Sequence, residues 1–330
     1  MWIEIGLSPK AEDTGGDLFL LGEKQHSEMA TKLRSITKHV LGTQAGPLQR
    51  LIGTTDCKGK GTSHPLAEVD PVFLCDTGKP MEGKGLPAFG MHPHYGLIAV
   101  TTVTQGAFAD ADNLNGASGA HTEALDIYAV SAGKGVCHEE HSAHEGRHQA
   151  IQTIFKIPAD KLHFPPELIH VKKDQIPVVN VEGGQFRVNI GRLGDVECPG
   201  KLKAFPRAVM VRAFVDQGKS MRIPLDEDLE QGFVVVLDGK CKIGAEKEAL
   251  ELGGGLVIFG KGGDLELDNG EGDKVCDALV VAGKPLNEPC VKMLGRNGFI
   301  LAKDEGEADR IMEVIHREKN DFSYKKLNDM

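Results

Sequence analysis

The chain is patterned as short apolar runs that alternate with glycine, asparagine and aspartate turns, which predicts an all-β protein. The run over 97–104 is rich in β-branched residues and ends at a Gln-Gly turn, as a strand would. Comparable runs recur through both halves of the chain. The predicted strands cover 66–75, 97–104, 125–131, 150–157, 186–190, 209–216, 220–224, 233–238, 256–259, 265–267 and 276–282.

Helical spacing of apolar residues occurs near both ends of the chain. Ile36 and Val40 close a series at spacings of three and four, which predicts a short helix over 23–39 that docks on the first β-rich half. Near the other end, apolar residues at i, i+3, i+4 and i+7 predict an amphipathic helix over 305–320.

The β-rich pattern is interrupted once, by four prolines within 158–177. Because proline cannot donate to a strand ladder, this segment is predicted to connect two domains. We therefore expect an N-terminal extension over 1–40, a first barrel over 41–160 and a linker over 161–180. A second barrel with the C-terminal helix then occupies 181–330.

Composition narrows the class of protein. The 41 glycines among 330 residues fit a protein with many tight turns, and the formal charge of −10 argues against direct binding of nucleic acid. We find no apolar run of about 18 residues and no secretory signal, so no membrane association is expected. The seven cysteines are odd in number and form no CxxC pair, which favours reduced thiols in the cytoplasm or nucleus.

Two pairs of polar side chains carry the chemistry. His92 and His94 are spaced i and i+2, so on a strand both point to one face, and His138 and Glu140 repeat that spacing. Cys137 lies between the second pair and faces the other way. Three imidazoles and one carboxylate, with coordination positions left open, suit iron, manganese, copper or nickel used for redox or oxygen chemistry.

The segments around these residues resemble the pirin family of the cupin superfamily. His92-Pro93-His94-Tyr95-Gly96 lies between Gly85 and Gly106, much as His-Pro-His-Arg-Gly lies in the first cupin motif of pirins. Residues 132–140 read Ala-Gly-Lys-Gly-Val-Cys-His-Glu-Glu, which is similar to the pirin Ala-Gly-Arg-Gly-Ile-x-His-x-Glu. Segments 70–76 and 282–289 also resemble pirin sequences, and the likeness extends over roughly residues 48–326.

The resemblance implies two cupin barrels in tandem, with one mononuclear metal site in the first barrel and none in the second. Its ligands would be His92, His94, His138 and Glu140, and its metal would be iron, with manganese, copper, nickel or zinc as alternatives. Several pirins have quercetin 2,3-dioxygenase activity. That activity would give this chain a small aromatic or enol-like substrate, with Glu140 as the general base.

Three positions depart from the pirin pattern. Ile98 occupies the place of the first-motif glutamate, Tyr95 that of the arginine and Ala129 that of a tryptophan. These changes leave two other functions open. The chain could be a redox-sensitive regulator that binds transcription factors or metabolic enzymes, or a non-catalytic subunit of an assembly. Otherwise we expect a monomer.

The remaining histidines near the motif have simpler interpretations. His141, His144 and His148 are predicted to lie in a polar, solvated loop, although the i, i+4 spacing of the last two could chelate a metal on a helix. His121 is predicted to be a surface residue, and Cys137 a buried apolar one.

Overall fold

The structure of the protein is a computed structural model. This structure describes residues 32–45, 48–54, 65–67, 69–78, 80–84, 87–114, 116–288, 291–295 and 298–317. Within these residues no helix is long and apolar enough to cross a membrane. The first 31 residues, and with them most of the predicted N-terminal helix, lie outside the described part.

The first half of the described chain is built from strands and one 3₁₀ turn, Ala159–Lys161. The strands are β1 Ile36–Val40, β2 Thr43–Ala45, β3 Leu48–Thr54, β4 Pro65–Ala67, β5 Val72–Gly78, β6 Met81–Glu82, β7 Pro87–His94, β8 Leu97–Gln105, β9 Ala107–Asp112, β10 Gly116–Glu123, β11 Ile127–Ser131, β12 Val136–Ser142, β13 Arg147–Lys156 and β14 Glu167–Val171.

The second half repeats this organisation and ends in a helix, α1, at Glu305–Arg317. Its strands are β15 Val178–Val181, β16 Gly184–Leu193, β17 Val196–Glu197, β18 Ala208–Val215, β19 Ser220–Ile223, β20 Gln231–Asp238, β21 Lys240–Ile243, β22 Glu248–Glu251, β23 Leu256–Phe259, β24 Leu265–Asp268, β25 Cys276–Gly283, β26 Val291–Gly295 and β27 Gly298–Ala302.

Each half folds into a large and a small antiparallel sheet, the two walls of a barrel. In the first barrel the large sheet runs β14-β11-β8-β13-β5-β3-β2 and the small sheet runs β10-β9-β12-β7. In the second barrel the corresponding orders are β1-β23-β20-β25-β18-β16-β15 and β19-β24-β21-β22. The all-β fold with two tandem barrels and a C-terminal helix is therefore confirmed.

The inner strands of the large sheets, such as β8 and β18, are buried on both faces, which explains their nearly continuous apolar sequences. On β8, Leu97 and Ala99 belong to the core of the first barrel, whereas Ile98 and Val100 belong to a core shared by both large sheets. Because successive side chains on a strand point to opposite faces, one strand serves both cores. Met210 of β18 enters the shared core from the second barrel.

The predicted helix over 23–39 is wrong at its C-terminal end. Residues Ile36–Val40 form β1, which pairs with Leu256–Phe259 in the second barrel and not with the first. A bulge between Ile36 and Lys38 turns Ile36 toward the core of the second barrel, whereas Val40 enters the shared core. The partner strand is more than 200 residues away, so the local apolar spacing could not distinguish a bulged strand from a helix.

The proline-rich linker also contains a β-strand that its composition does not predict. The strand Glu167–Val171 lies between Pro166 and Pro177 and pairs with Ile127–Ser131 at the edge of the first large sheet. The prolines flank this strand and therefore remove none of its hydrogen bonds. The domain boundaries at 160 and 181 stay predictions.

The C-terminal part of the described chain returns to the first barrel. Hairpin β26–β27 brings Ile300 into a parallel bridge with Tyr95, directly after β7. Helix α1 confirms the C-terminal helix predicted for 305–320, of which the last three residues lie outside the described part. The first barrel is thus completed by a segment from the far end of the sequence.

Candidate metal centre

The two predicted histidine strands lie side by side in the small sheet of the first barrel. β7 pairs antiparallel with β12, and His92 lies opposite His138 in the register. β7 is an edge strand, so Pro93 costs the sheet no ladder hydrogen bond. The i, i+2 spacing then turns His92 and His94 together toward His138, as the sequence predicted.

The three imidazoles form a compact, buried group. Their ring centroids are 4.6 to 5.0 Å apart. One nitrogen from each ring lies within 4.8 Å of the others, and no other such group of histidine, cysteine or carboxylate ligands occurs among the described residues. All three side chains are buried, with at most 3% of each residue exposed.

The ring nitrogens are oriented for a shared ligand. Nδ1 of His92 donates to the carbonyl oxygen of Gly90 at 2.8 Å, so the Nε2 of the neutral ring is the nitrogen that carries no proton. That Nε2 lies 3.1 Å from Nε2 of His94. Neither ring nitrogen of His138 has a hydrogen-bond partner in the described part of the chain. A buried imidazole with two unpartnered nitrogens indicates a missing partner, because native structures rarely leave such groups unsatisfied.

These distances fit a metal ion. Two nitrogen ligands about 2.1 Å from an ion and at right angles to each other are about 3.0 Å apart, close to the observed separation of His92 and His94. Burial lowers the pKa of all three histidines, that of His94 to about 3. The imidazoles therefore stay neutral, which is the form that binds metals.

Glu140 lies beside this group but not within it. Its side chain is buried on β12, and Thr101 on β8 donates to its Oε1 at 3.0 Å. No carboxylate oxygen of the described residues joins the three-histidine cluster. Burial raises the pKa of Glu140, although the Thr101 hydrogen bond opposes that rise. Its role as the fourth ligand stays a prediction.

A second carboxylate, Asp110, faces Glu140 and was missed from sequence. The two residues are paired in the register of β9 and β12, and Asp110 is buried, with Oδ1 unpartnered among the described residues. Burial and then the charge of Glu140 raise its pKa. The Asp-Ala-Asp alternation at 110–112 has the same i, i+2 spacing as the histidine pairs and could have revealed it.

The three positions that depart from the pirin pattern lie in two different parts of the structure. Ile98 and Ala129 belong to the core shared by the large sheets. Tyr95 lies near helix α1, where its hydroxyl donates to Glu307 Oε1 at 3.4 Å and contacts Nδ1 of His163 at 3.2 Å. Ile98 is therefore part of the packing between the barrels.

Three secondary predictions can be compared with the structure. His148 is fully buried, so the prediction of a solvated loop is wrong for this residue. The buried ring is satisfied by main chain: its Nδ1 accepts from the Ala107 amide at 3.1 Å, and its Nε2 donates to the His144 carbonyl at 2.7 Å. Both nitrogens are thus used by the protein. Cys137 is fully buried, and His121 is exposed, as predicted.

Comparisons with known proteins agree on one family. The family model for pirin matches residues 55–154. A pirin-like protein from Solanum lycopersicum is 24% identical over 255 residues, covering 71% of this chain and 84% of that protein. The match to the family model therefore lies within the first barrel, whereas the alignment with the Solanum lycopersicum protein extends well beyond that barrel.

Solved structures share the fold. Quercetin 2,3-dioxygenase from Acinetobacter baumannii superposes with a TM-score of 0.68 at 21% identity, covering 88% of this chain and 98% of the other. A bacterial pirin from Escherichia coli, solved in complex with nickel(II), gives 0.54 at 15% identity, covering 77% and 98%. The chain thus matches the pirin family over residues 55–154 and shares its tandem-barrel fold with these structures.

Proposed function

We propose that the chain is a metal-dependent dioxygenase of the quercetin 2,3-dioxygenase type. Iron would be held by His92, His94 and His138, with Glu140 as the fourth ligand. The observation that carries this proposal is the cluster of three buried imidazoles, one of which has no other partner among the described residues. The fold shared with a quercetin 2,3-dioxygenase supports the reaction class.

The protein's own residues divide the remaining work. A redox-active metal would supply Lewis acidity and the electron transfer that oxygen chemistry needs. Glu140 accepts the proton of the substrate hydroxyl, because a buried carboxylate with a raised pKa is a strong enough base near neutral pH. Thr101 fixes the direction of that carboxylate. The apolar side chains of the first barrel core keep water from the site.

The substrate class follows from this arrangement. A base beside a metal centre suits a substrate with an acidic hydroxyl on an electron-rich carbon framework, such as a flavonol or another small aromatic enol. The proposal includes a monomer without direct nucleic-acid contacts. It also includes a cytoplasmic or nuclear location, which is supported by the five buried cysteines of the described residues, none of which is joined in a disulfide.

The proposal is tested by turnover under oxygen. The iron-loaded chain should consume a flavonol together with one equivalent of oxygen. The double variant His92→Ala/His138→Ala should lose this activity, whereas His121→Ala, which changes an exposed histidine of the same barrel, should keep it. A metal-loaded, folded chain that turns over no flavonol or related enol would contradict the dioxygenase and favour the regulatory alternative.

A further inference from the structure

The C-terminal hairpin β26–β27 borders the histidine strand through its main chain. The amide of Leu301 donates to the carbonyl of Tyr95 at 2.9 Å, and the amide of Tyr95 donates to the carbonyl of Phe299 at 3.4 Å. These bonds follow directly after His94 in the sequence. The hairpin is therefore attached to the strand that carries two of the three histidines.

Gly298 allows this close approach. It is buried, and a Cβ atom built on it would overlap the carbonyl oxygen of Pro93 and lie 2.7 Å from the carbonyl carbon. Both of these atoms belong to main chain, so no side-chain movement could relieve the clash. Any larger residue must push the hairpin away from β7.

The approach places both polar atoms of Phe299 at one imidazole nitrogen. Nδ1 of His94 lies 3.3 Å from the Phe299 carbonyl oxygen and 3.3 Å from the Phe299 amide nitrogen. A carbonyl oxygen only accepts and an amide only donates. The same main chain can therefore serve Nδ1 whether or not that nitrogen carries the proton.

The state without metal favours one tautomer of His94. Because His92 uses its Nδ1 proton on Gly90, the Nε2 of His92 can only accept, and His94 satisfies it by donating from Nε2 over 3.1 Å. Nδ1 of His94 is then unprotonated and accepts from the Phe299 amide.

Metal binding requires the other tautomer. His92 and His94 would hold a metal through their Nε2 lone pairs, so His94 would lose the proton on Nε2 and carry one on Nδ1, with no net change in the charge of the ring. The Phe299 carbonyl accepts the proton at Nδ1. Such outer hydrogen bonds fix the orientation and basicity of metal-binding histidines.

We propose that the main chain of Phe299 is a positioning element, which lets His94 change from the Nε2–H to the Nδ1–H tautomer when a metal binds. Gly298 allows this main chain to come close enough to His94. The side chain of Phe299 is held by the edge of Phe73, with ring centroids 5.6 Å apart, and by Arg50 over its ring at 5.5 Å. Arg50 itself makes a buried, bidentate ion pair with Asp76. The hairpin thus packs on a buried ion pair of the first barrel. This inference rests on the proposed metal site but not on dioxygenase activity.

The first measurement is the tautomer of His94 in the unaltered chain. Nitrogen-15 spectra of histidine-labelled protein, with the His94 signal assigned by its absence in His94→Asn, distinguish protonated Nδ1 from protonated Nε2. We expect Nε2–H without metal and Nδ1–H after one equivalent of zinc(II), a diamagnetic probe. The same tautomer in both states would overturn the proposal.

The second measurement is zinc affinity by competition with a chromophoric chelator. Gly298→Ala should weaken binding by about 10- to 100-fold, the range found when an outer hydrogen bond to a metal ligand is lost. Gly232→Ala is the matched control, since its Cβ would also meet main chain, at Val281 of the second barrel. It should lower stability but keep the affinity within about twofold.

The outcomes separate this proposal from the dioxygenase. Equal zinc affinity of Gly298→Ala and the unaltered chain would overturn the positioning role. If Gly298→Ala does not fold, the tautomer measurement on the unaltered chain still decides. No zinc binding at the three histidines would overturn the metal site and this proposal together, whereas zinc binding with the predicted tautomer change and no flavonol turnover would overturn only the dioxygenase.

Discussion

Thr101 donates a hydrogen bond to Glu140 across the interior of the first barrel, from β8 in the large sheet to β12 in the small sheet, over 3.0 Å. The bond holds the carboxylate beside the histidine cluster. Because this bond engages Oε1, we expect Oε2 to be the atom that turns to a metal or a substrate hydroxyl. The two sheets therefore cooperate in placing one functional group.

Replacing Thr101 by valine tests that placement. The substitution keeps the shape of the side chain but removes the donor, so Glu140 loses its fixed direction and its pKa rises further. We expect kcat for a flavonol to fall about 10- to 100-fold and the acid limb of its pH profile to move to higher pH, with metal content unchanged.

The control for this variant is Thr104→Val on the same strand. Thr104 bonds to the Gln149 carbonyl at 3.1 Å, away from the cluster, so its loss should leave kcat within about twofold. Equal kcat values for Thr101→Val and the unaltered chain would show that Glu140 does not need this bond.

Asp110 predicts a pH dependence of stability in the metal-free protein. Because its pKa is raised, the folded chain keeps a proton that the unfolded chain releases above about pH 4. The free energy of unfolding should therefore fall as pH rises from about 4 toward the raised pKa. Asp110→Asn has no such proton. The free energy of unfolding of this variant, minus that of the unaltered chain, should therefore be about 1–3 kcal/mol larger at pH 8 than at pH 4.

Urea unfolding of both metal-free proteins at the two pH values measures this difference. The exposed Asp195, changed to asparagine, provides a control that should show no pH-dependent gain. A difference between Asp110→Asn and the unaltered chain that is the same at pH 4 and pH 8 would mean that Asp110 is ionised in the folded chain.

His138 is predicted to reduce stability in exchange for metal binding. Its two buried nitrogens lack protein partners among the described residues, so a leucine of similar volume removes an unsatisfied group. His138→Leu should raise the free energy of unfolding of the metal-free chain by about 1–2 kcal/mol.

The same variant should lose the stabilisation that metal gives the unaltered chain, which is about 2.7 kcal/mol at a free metal concentration 100 times the Kd. Thermal unfolding with and without metal measures both effects. A less stable His138→Leu that still responds to metal would contradict the assigned role of this residue.

The residues of the site could be predicted from sequence where the signal is local. The i, i+2 pairs at His92/His94 and His138/Glu140 require only that each segment be a strand, and the structure brings the three histidines together. The part that the sequence could not reveal depends on distant partners. The local pattern of apolar and polar residues indicates neither the pairing of β1 with β23 nor the approach of Phe299 to His94.

We expect the three histidines to hold one redox-active metal, and elemental analysis can check this claim. The unaltered chain, reloaded with iron under reducing conditions and desalted, should hold about one iron per chain, and so should the control His121→Ala. His92→Ala/His138→Ala should hold none while keeping the β-sheet circular dichroism of the unaltered chain. Folded, unaltered protein that retains no iron would contradict the claim.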